Sequence, residues 1–278
     1  MRERGESLEA VDGTETPLML DRSKTVTMDR RTLLQGLAAG TVVALTGCAD
    51  NAQLGRSQLL LISDAQLAEM SAGTWQQVQQ QYKPKRDSAA GRRVDRIGQR
   101  IVDVSGMDTS RNWEFVVLDD PMVNAFVLPG GQVAFFDGIM GKFANDDQLA
   151  TVMGHEVGHV AGRHGAERAS QQLVAQIGLT VAQVALASTE SQYAPVIAGV
   201  LGAGVTFGVI LPYSRQHEYE ADALGVRYMA KAGYRPEESI AFWQTMMGDG
   251  QKVAEFMSTH PSDSNRIAAL RGEIQTLA

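Results

Sequence analysis

The sequence predicts a mainly helical α+β fold with one small antiparallel sheet. Residues 113–120 and 123–138 are rich in β-branched and aromatic side chains, and a Pro-Gly-Gly turn divides the second segment. This pattern is typical of short strands joined by a turn. The segments on either side have apolar residues at helical spacing, so helices are expected to make up most of the chain.

The helix signals can be placed in chain order. Ser63, followed three residues later by Gln66, predicts a helix start, because each residue can satisfy the other's backbone. A second helix is indicated by apolar residues spaced by three and four: Val94, Ile97 and Ile101. From Asp146 a further helix is expected to continue to about Ser170.

The segment from Leu173 to Leu211 is unusually apolar, and its last sixteen residues, 196–211, carry no charge. A permanent membrane span needs about 20 apolar residues, and four glycines weaken this stretch further. Packing in the core or on a membrane surface is therefore favoured over a span.

Composition limits the classes of function. The chain has 278 residues, 44% of them hydrophobic, which suffices for a sizeable core. The net charge of -7, without a basic run, gives no indication of nucleic-acid binding. Cys48 is the single cysteine, so a disulfide framework and a multi-cysteine zinc site are excluded. Any metal must bind to His, Asp or Glu.

The N-terminal region has the layout of an export signal. Residues 28–48 combine a basic start, an apolar stretch and small residues before Cys48. This ending resembles a bacterial lipobox, with Cys48 as the lipidated residue, and the paired arginines resemble a twin-arginine signal. The alternative is a buried N-terminal helix. Residues 1–47 are thus expected to be an extension plus signal, with Met1 or Met28 as the start of the chain. Residues 48–60 are expected to form a lipid-bearing tether, and residues 61–278 are expected to form the enzymatic domain.

The chemistry of the chain is indicated by "HEVGH", residues 155–159. On a helix, positions i and i+4 differ by about 40°, so His155 and His159 can reach one ion. Imidazoles suit Zn²⁺, and Glu156 beside them can take a proton from water whose pKa the metal lowers. A solvated helical face with chance spacing is the alternative, and the pattern is rare enough to favour zinc.

A catalytic zinc needs a third protein ligand. His164 lies nine residues after His155, about 180° around a continuous helix, so it is expected to point away and to be structural. Glu218 and Asp222, four apart on another predicted helix, form the better inward-facing set. Glu218 would bind the metal and Asp222 would accept an N–H from a ligand histidine. Glu220 falls on the opposite side, and its replacement is expected to do little.

These motifs, together with Ser214-Arg215 and with Thr259-His260-Pro261 and Arg266, resemble the zinc metallopeptidase family of HtpX and the CAAX prenyl proteases. The similarity covers about residues 60–278 and is strongest to its periplasmic BepA-like and LoiP-like branch, which is related to the mitochondrial OMA-type proteases. The resemblance implies a gluzincin-like fold with the sheet beside the active-site helix, one Zn²⁺ on His155, His159 and Glu218, and Glu156 as general base.

The resemblance also implies a substrate site. In such proteases the strand beside the active-site helix takes an extended peptide as an added strand, which predicts Asn124, Ala125 and Phe126 as contacts. For Phe126, ordinary sheet packing is an equal alternative.

Two residues near the C-terminus are expected to act on the reaction. BepA-like relatives use the histidine that matches His260 as a movable fourth zinc ligand, and the alternative is a loop histidine bonded to backbone. Arg266, with its many donors, is predicted to stabilise the oxyanion.

The expected function is a zinc endopeptidase of the bacterial envelope, lipid-anchored in the periplasm, that hydrolyses misfolded or misassembled envelope proteins. Contact with envelope assembly machinery is a further expectation, and no nucleic-acid partner is expected. Two alternatives stay open: a chaperone-like role for the same groove, and a hydrolase acting on small molecules. The small-molecule hydrolase fits the zinc ligands but not an open edge strand.

Overall fold

The structure, a computed structural model, describes residues 48–107, 111–187, 214–261 and 264–277. The predicted extension and signal, 1–47, and the whole of the uncharged stretch 196–211 lie outside the described residues. The lipidation of Cys48 therefore stays a prediction; Cys48 itself is exposed.

The described strands are β1 (Cys48–Asn51), β2 (Arg56–Leu59), β3 (Glu114–Leu118), β4 (Ala125–Val127) and β5 (Gln132–Phe136). The described helices are α1 (Asp64–Gln81), α2 (Ala89–Ser105), α3 (Asp137–Met140), α4 (Asp146–Ala161), α5 (His164–Ala187), α6 (Arg215–Lys231), α7 (Glu238–Gly248), α8 (Ala254–Thr259) and α9 (Ser264–Gln275), with a 3₁₀ turn at Gly250–Val253. The mainly helical prediction is confirmed. Among these ranges no helix has both the length and the apolar character needed to cross a membrane.

The main sheet has the order β3-β5-β4 and is mixed rather than purely antiparallel. β4 and β5 form the expected antiparallel hairpin around Pro129-Gly130-Gly131, with Gly131 at φ +103°. β5 then enters between β4 and β3 and pairs with β3 in parallel. The prediction of an antiparallel sheet was wrong for the β3–β5 pair. The chain leaves a gap of one strand between β3 and β4, and β5 fills this gap in the same direction as β3.

Both faces of this sheet are buried, which explains its almost continuous apolar sequence. Phe115 and Phe135 face the main core, which α2, α4, α6 and α7 complete. The alternate residues of β3 and β5 pack with Trp75 of α1 in a second cluster. α1 begins with the predicted capping box at Ser63, and the predicted core residues of α2 are all inaccessible to solvent: Val94, Ile97 and Ile101.

Residues 48–59 differ from the expected tether. They form the antiparallel β1–β2 hairpin, which docks on the end of α4. Asn51 donates to the carbonyl of Ala161 at 3.1 Å, and Gln58 donates to the carbonyl of Gly162 at 2.7 Å. The hairpin thus caps carbonyls that have no partner within the helix, and this polar role explains why the segment lacks the apolar pattern of a core strand.

Candidate metal centre

Two helices meet at unusually close range to form the centre. α4 begins at the Asn145 cap, whose side chain accepts from the Gln148 backbone. A Cβ on Gly158 would lie 2.6 Å from the carbonyl oxygen of Ala221 on α6, and one on Gly154 would lie 2.9 Å from that of Gly225. Small residues at i and i+4 on both helices therefore let the two backbones touch, which brings the ligands on α4 and α6 together.

Four buried side chains direct ligand atoms to one point: His155, His159, Glu218 and His260. His155 Nε2 lies 3.0 Å from His159 Nε2 and 3.1 Å from His260 Nδ1. The oxygens of Glu218 lie 3.3 Å from His159 Nε2 and 3.4 Å from both His155 Nε2 and His260 Nδ1.

These spacings fit a tetrahedral zinc. Bonds of about 2.0–2.1 Å place the ligand atoms of such an ion about 3.3–3.4 Å apart. The donor pairs given above are 3.0–3.4 Å apart, and all four donors lie within 4.8 Å of one another. Among the described residues, neither oxygen of the fully buried Glu218 has a well-aligned hydrogen-bond donor. A buried carboxylate in that state is a suitable ligand for a cation.

The protonation preferences of the metal-free centre follow from burial and charge. Burial opposes ionisation of Glu218, yet the nearby His260, His155 and Arg266 hold its pKa well below the usual range. Burial also opposes protonation of His155, but Glu218 and Asp222 outweigh it and raise its pKa to about 9. Burial lowers the pKa of His159 well below its ordinary value. Glu218 is thus ionised in the metal-free centre and offers a charged oxygen ligand, whereas a metal ion must displace the proton of His155.

Asp222 lies behind His155. Its Oδ1 is 2.8 Å from His155 Nδ1, so it accepts the proton on the ring nitrogen opposite the metal side. Arg266 in turn donates to both oxygens of Asp222, at 2.5 and 2.9 Å. This pairing fixes the ring of His155 in the orientation that a zinc ligand needs.

Arg266 does not have the placement expected of an oxyanion donor. It is fully buried, lies 3.0 Å from Glu218 and stacks over Trp243 at 3.6 Å. Its remaining donors meet the carbonyls of His260 and Pro261. Its guanidinium is engaged behind the ligands, where it can position His155 through Asp222, and a role at the oxyanion stays a prediction.

His164 and Glu220 also differ from expectation. α4 ends at Ala161, and Arg163 has a φ of +53°, so the helix does not continue to Ser170. This turn folds His164 back until its Nδ1 lies 2.9 Å from His159 Nδ1. On the other side its Nε2 lies 3.0 Å from Glu220. Neither belongs to the four-residue ligand group, but His164 stands directly behind the ligand His159, and Glu220 stands behind His164.

Glu156 and His260 complete the inner site. Glu156 is buried and its Oε1 lies 3.4 Å from His260 Nε2. Burial raises the pKa of Glu156. His260 directly follows the end of α8, outside the helix, and its ring lies among the ligand atoms, 2% exposed. It thus stands at the fourth position around the ligand group.

β4 forms an open edge of the described sheet beside α4. Asn124 and Leu128 bond to β5, so by alternation the backbone groups of Ala125 and Val127 point the other way. The Asn124 side chain covers the Ala125 N–H at 2.9 Å. The Phe126 ring is half-buried and packs at 6.1 Å from Phe136, which favours the sheet-packing alternative for its side chain.

A pocket lies between the end of α4 and the β4 hairpin. His159 and Val160 line it from α4, and Val127 and Pro129 line it from the hairpin. Its charged lining residues are Asp64, Arg111 and Arg163. The pocket thus joins one member of the ligand group, His159, to the edge hairpin.

Sequence reasoning missed a second layer of polar residues: Arg56, Gln58, Glu167 and His217, together with the role of His164 and Glu220. Gly162, at which a Cβ would lie 2.4 Å from the His164 ring, is the one local sign that the helix turns back there. Arg56 carried no signal, since its carboxylate partners Glu167 and Glu220 are 111 and 164 residues away.

The helix pair with HExxH on one member and Glu-x-x-x-Asp on the other defines an HExxH metallopeptidase with zinc as its metal. Residues 88–274 match the family described as "Peptidase family M48". The chain therefore belongs to peptidase family M48, and the predicted resemblance and the zinc metalloendopeptidase class are confirmed.

Individual relatives show the same class. The mitochondrial metalloendopeptidase OMA1 of Schizosaccharomyces pombe is 37% identical over 179 residues, covering 63% of this chain and 50% of that one. OMA1 of Saccharomyces cerevisiae is 36% identical over 211 residues, or 69% and 58%. The β-barrel assembly-enhancing protease of Escherichia coli is 28% identical over 188 residues, or 64% and 37%. The chain thus spans little more than half the length of the two yeast relatives.

These relatives correct the predicted location. The two yeast proteins, at 36–37% identity, are mitochondrial, whereas the bacterial proteases of this kind are 28–32% identical. The prediction of the bacterial periplasm was wrong by this comparison. It had relied on the export-signal pattern of residues 28–48 and on the resemblance to the periplasmic BepA-like branch.

Proposed function

We propose that the chain is a zinc endopeptidase that cleaves extended segments of misfolded or misassembled proteins. The observation that carries the proposal is the position of the four-donor centre beside the open edge of β4. A strand added to a sheet edge is recognised mainly through its backbone. Unfolded chains expose such backbone, whereas folded proteins keep it paired.

The residues of the site divide the work of hydrolysis. Bound zinc supplies Lewis acidity toward water and toward the substrate carbonyl. Glu156 takes the proton of the attacking water, a task that suits a carboxyl whose pKa burial raises toward neutrality. Asp222 and Arg266 keep His155 in place during this step.

The substrate contacts are proposed at the backbone of β4. Ala125 and Val127 offer the outward-facing groups, and the Asn124 side chain must leave the Ala125 N–H when a peptide strand docks. His260 at the fourth position is proposed to restrain the enzyme until it moves. An association with β-barrel assembly is supported by the names of the E. coli and Vibrio cholerae relatives.

The replacement Glu156→Gln tests the proposal. It should retain zinc and fold but lose cleavage of unfolded casein, because the amide cannot accept the proton of water. A mutant that binds unfolded protein and still protects it in cells would favour the chaperone-like alternative. Cleavage by Glu156→Gln at the wild-type rate would contradict the assigned base.

A further inference from the structure

Each zinc-ligand histidine of α4 is backed by a carboxylate that an arginine holds. Behind His155 stand Asp222 and Arg266. Behind His159 the carboxylate is one residue further away: His164 comes first, then Glu220, then Arg56. We infer that His164, Glu220 and Arg56 form a positioning relay for His159, and that the β1–β2 hairpin is therefore needed for full zinc affinity.

The direction of the hydrogen bonds in this relay is fixed by the metal side. His159 directs Nε2 at the ligand centre, so its proton resides on Nδ1. That N–H donates to His164 Nδ1, 2.9 Å away, which leaves the proton of His164 on Nε2. His164 Nε2–H then donates to Glu220 at 3.0 Å. With these tautomers each ring N–H of the relay has an acceptor.

Arg56 fixes the far end of the relay. It donates to both oxygens of Glu220, at 2.6 and 2.8 Å, and to both oxygens of Glu167, at 2.9 and 2.8 Å. A planar guanidinium shared by two carboxylates in this way holds their orientation more tightly than a point charge does. Glu220 is thereby aimed at His164 rather than at solvent.

The hairpin is also held by bonds outside the relay, so docking and positioning can be separated. Asn51 and Gln58 bond to the end of α4, and Gln58 also donates to Glu167 at 2.7 Å. Glu167 further contacts His217 at 3.1 Å, whereas His164 Nε2 lies against Glu220 at 3.0 Å. Glu167 therefore shares the docking function of Glu220 without its place behind His159.

The relay reverses the expectation that replacing Glu220 does little. Loss of an outer hydrogen-bond partner of a ligand histidine typically costs about 10–100-fold in metal affinity. We expect a loss in that range for Glu220→Ala. Glu220→Gln keeps an oxygen that can accept from His164, so it should retain part of the affinity.

The test measures the zinc dissociation constant of the full chain by chelator competition. Wild type, Glu220→Ala, Glu220→Gln and the matched control Glu167→Ala are compared, and thermal unfolding of the zinc-free forms reports the docking that both glutamates share. If Glu220→Ala does not fold, Glu220→Gln is compared with Glu167→Gln; a partial loss of zinc affinity in Glu220→Gln alone then supports the relay, and equal affinities in the two variants overturn it.

The inference rests on the proposed function, and the two can fail separately. A loss of at least about tenfold for Glu220→Ala, with a clearly smaller loss for Glu167→Ala at similar unfolding temperature, supports the relay. Equal losses in the two variants, or none for Glu220→Ala, would overturn it while zinc binding by wild type stands. A wild type that binds no zinc would overturn both.

Discussion

The close contact between α4 and α6 predicts that Gly158→Ala damages the metal centre. The added Cβ would lie 2.6 Å from the carbonyl oxygen of Ala221 and 3.1 Å from its Cα. Ordinary contact begins near 3.4 Å, so the helices must separate by about 0.4–0.8 Å at this point. Zinc–ligand distances tolerate only about 0.2 Å. His155 and His159 on one helix would no longer meet Glu218 on the other.

The expected magnitude is about 1–3 kcal/mol of lost stability, the usual cost of overpacking, together with a large loss of zinc affinity. Thermal unfolding with and without zinc and chelator competition measure the two effects. The matched control is Gly73→Ala, on the exposed face of α1, where a Cβ meets nothing within 4 Å and helix propensity should add up to about 1 kcal/mol. If Gly158→Ala binds zinc and unfolds as wild type does, helix contact does not set the ligand geometry.

Three further predictions concern the ligands themselves. Glu218→Ala should lose more than about a hundredfold in zinc affinity, since the loss of a ligand costs more than the loss of an outer hydrogen-bond partner. Metal analysis of the folded protein checks this, and full zinc occupancy would exclude Glu218 as a ligand. His260→Ala should keep zinc and raise basal casein cleavage, and slower cleavage with zinc retained would refute the restraint. For pH, His155 in the metal-free protein has a pKa raised from 6.5 to about 9, so its proton stabilises the fold below about pH 6.5 and this contribution is lost as pH rises through 9. Zinc must displace that proton, so its affinity should rise between pH 6.5 and 9, and calorimetry in buffers of different ionisation enthalpy should show proton release; binding without release would contradict it.

The parts of the fold that sequence reasoning predicted well depend on local signals. The capping box at Ser63, the helix start at Asp146 and the turn at Pro129 need only residues within a few positions. The i, i+4 spacing of His155 and His159 is equally local. The histidine spacing can be interpreted from sequence because the helical period of 3.6 residues fixes which side chains share a face.

The parts that were wrong depend on contacts between distant segments. Whether β3 pairs with β4 or β5 is decided by which strand enters the middle of the sheet, and both choices bury the same apolar residues. The β1–β2 hairpin was taken for a tether because its contacts with α4 are polar and over a hundred residues away in sequence. Local pattern cannot contain that information.

For the site, residue types predicted chemistry better than they predicted position. Arg266 has the donors that an oxyanion site needs. Its stacking against the Trp243 ring and its ion pairs with Asp222 and Glu218 hold it behind the ligands. His164 was judged from helical geometry that ends at Ala161. In both cases the residue type was informative, but the position of the side chain depended on packing that the local sequence does not show.

The centre is assembled from both ends of the described domain. Arg266 on α9 holds the carboxylate behind His155, and Arg56 on the N-terminal hairpin holds the one behind His159. Arg266 is fully buried, so removing it leaves Asp222 and Glu218 as uncompensated buried charges. Arg56 is partly exposed, so its loss is softened by water. The two arginines therefore support the same metal centre from different depths. Arg56 on the hairpin is the one that solvent reaches.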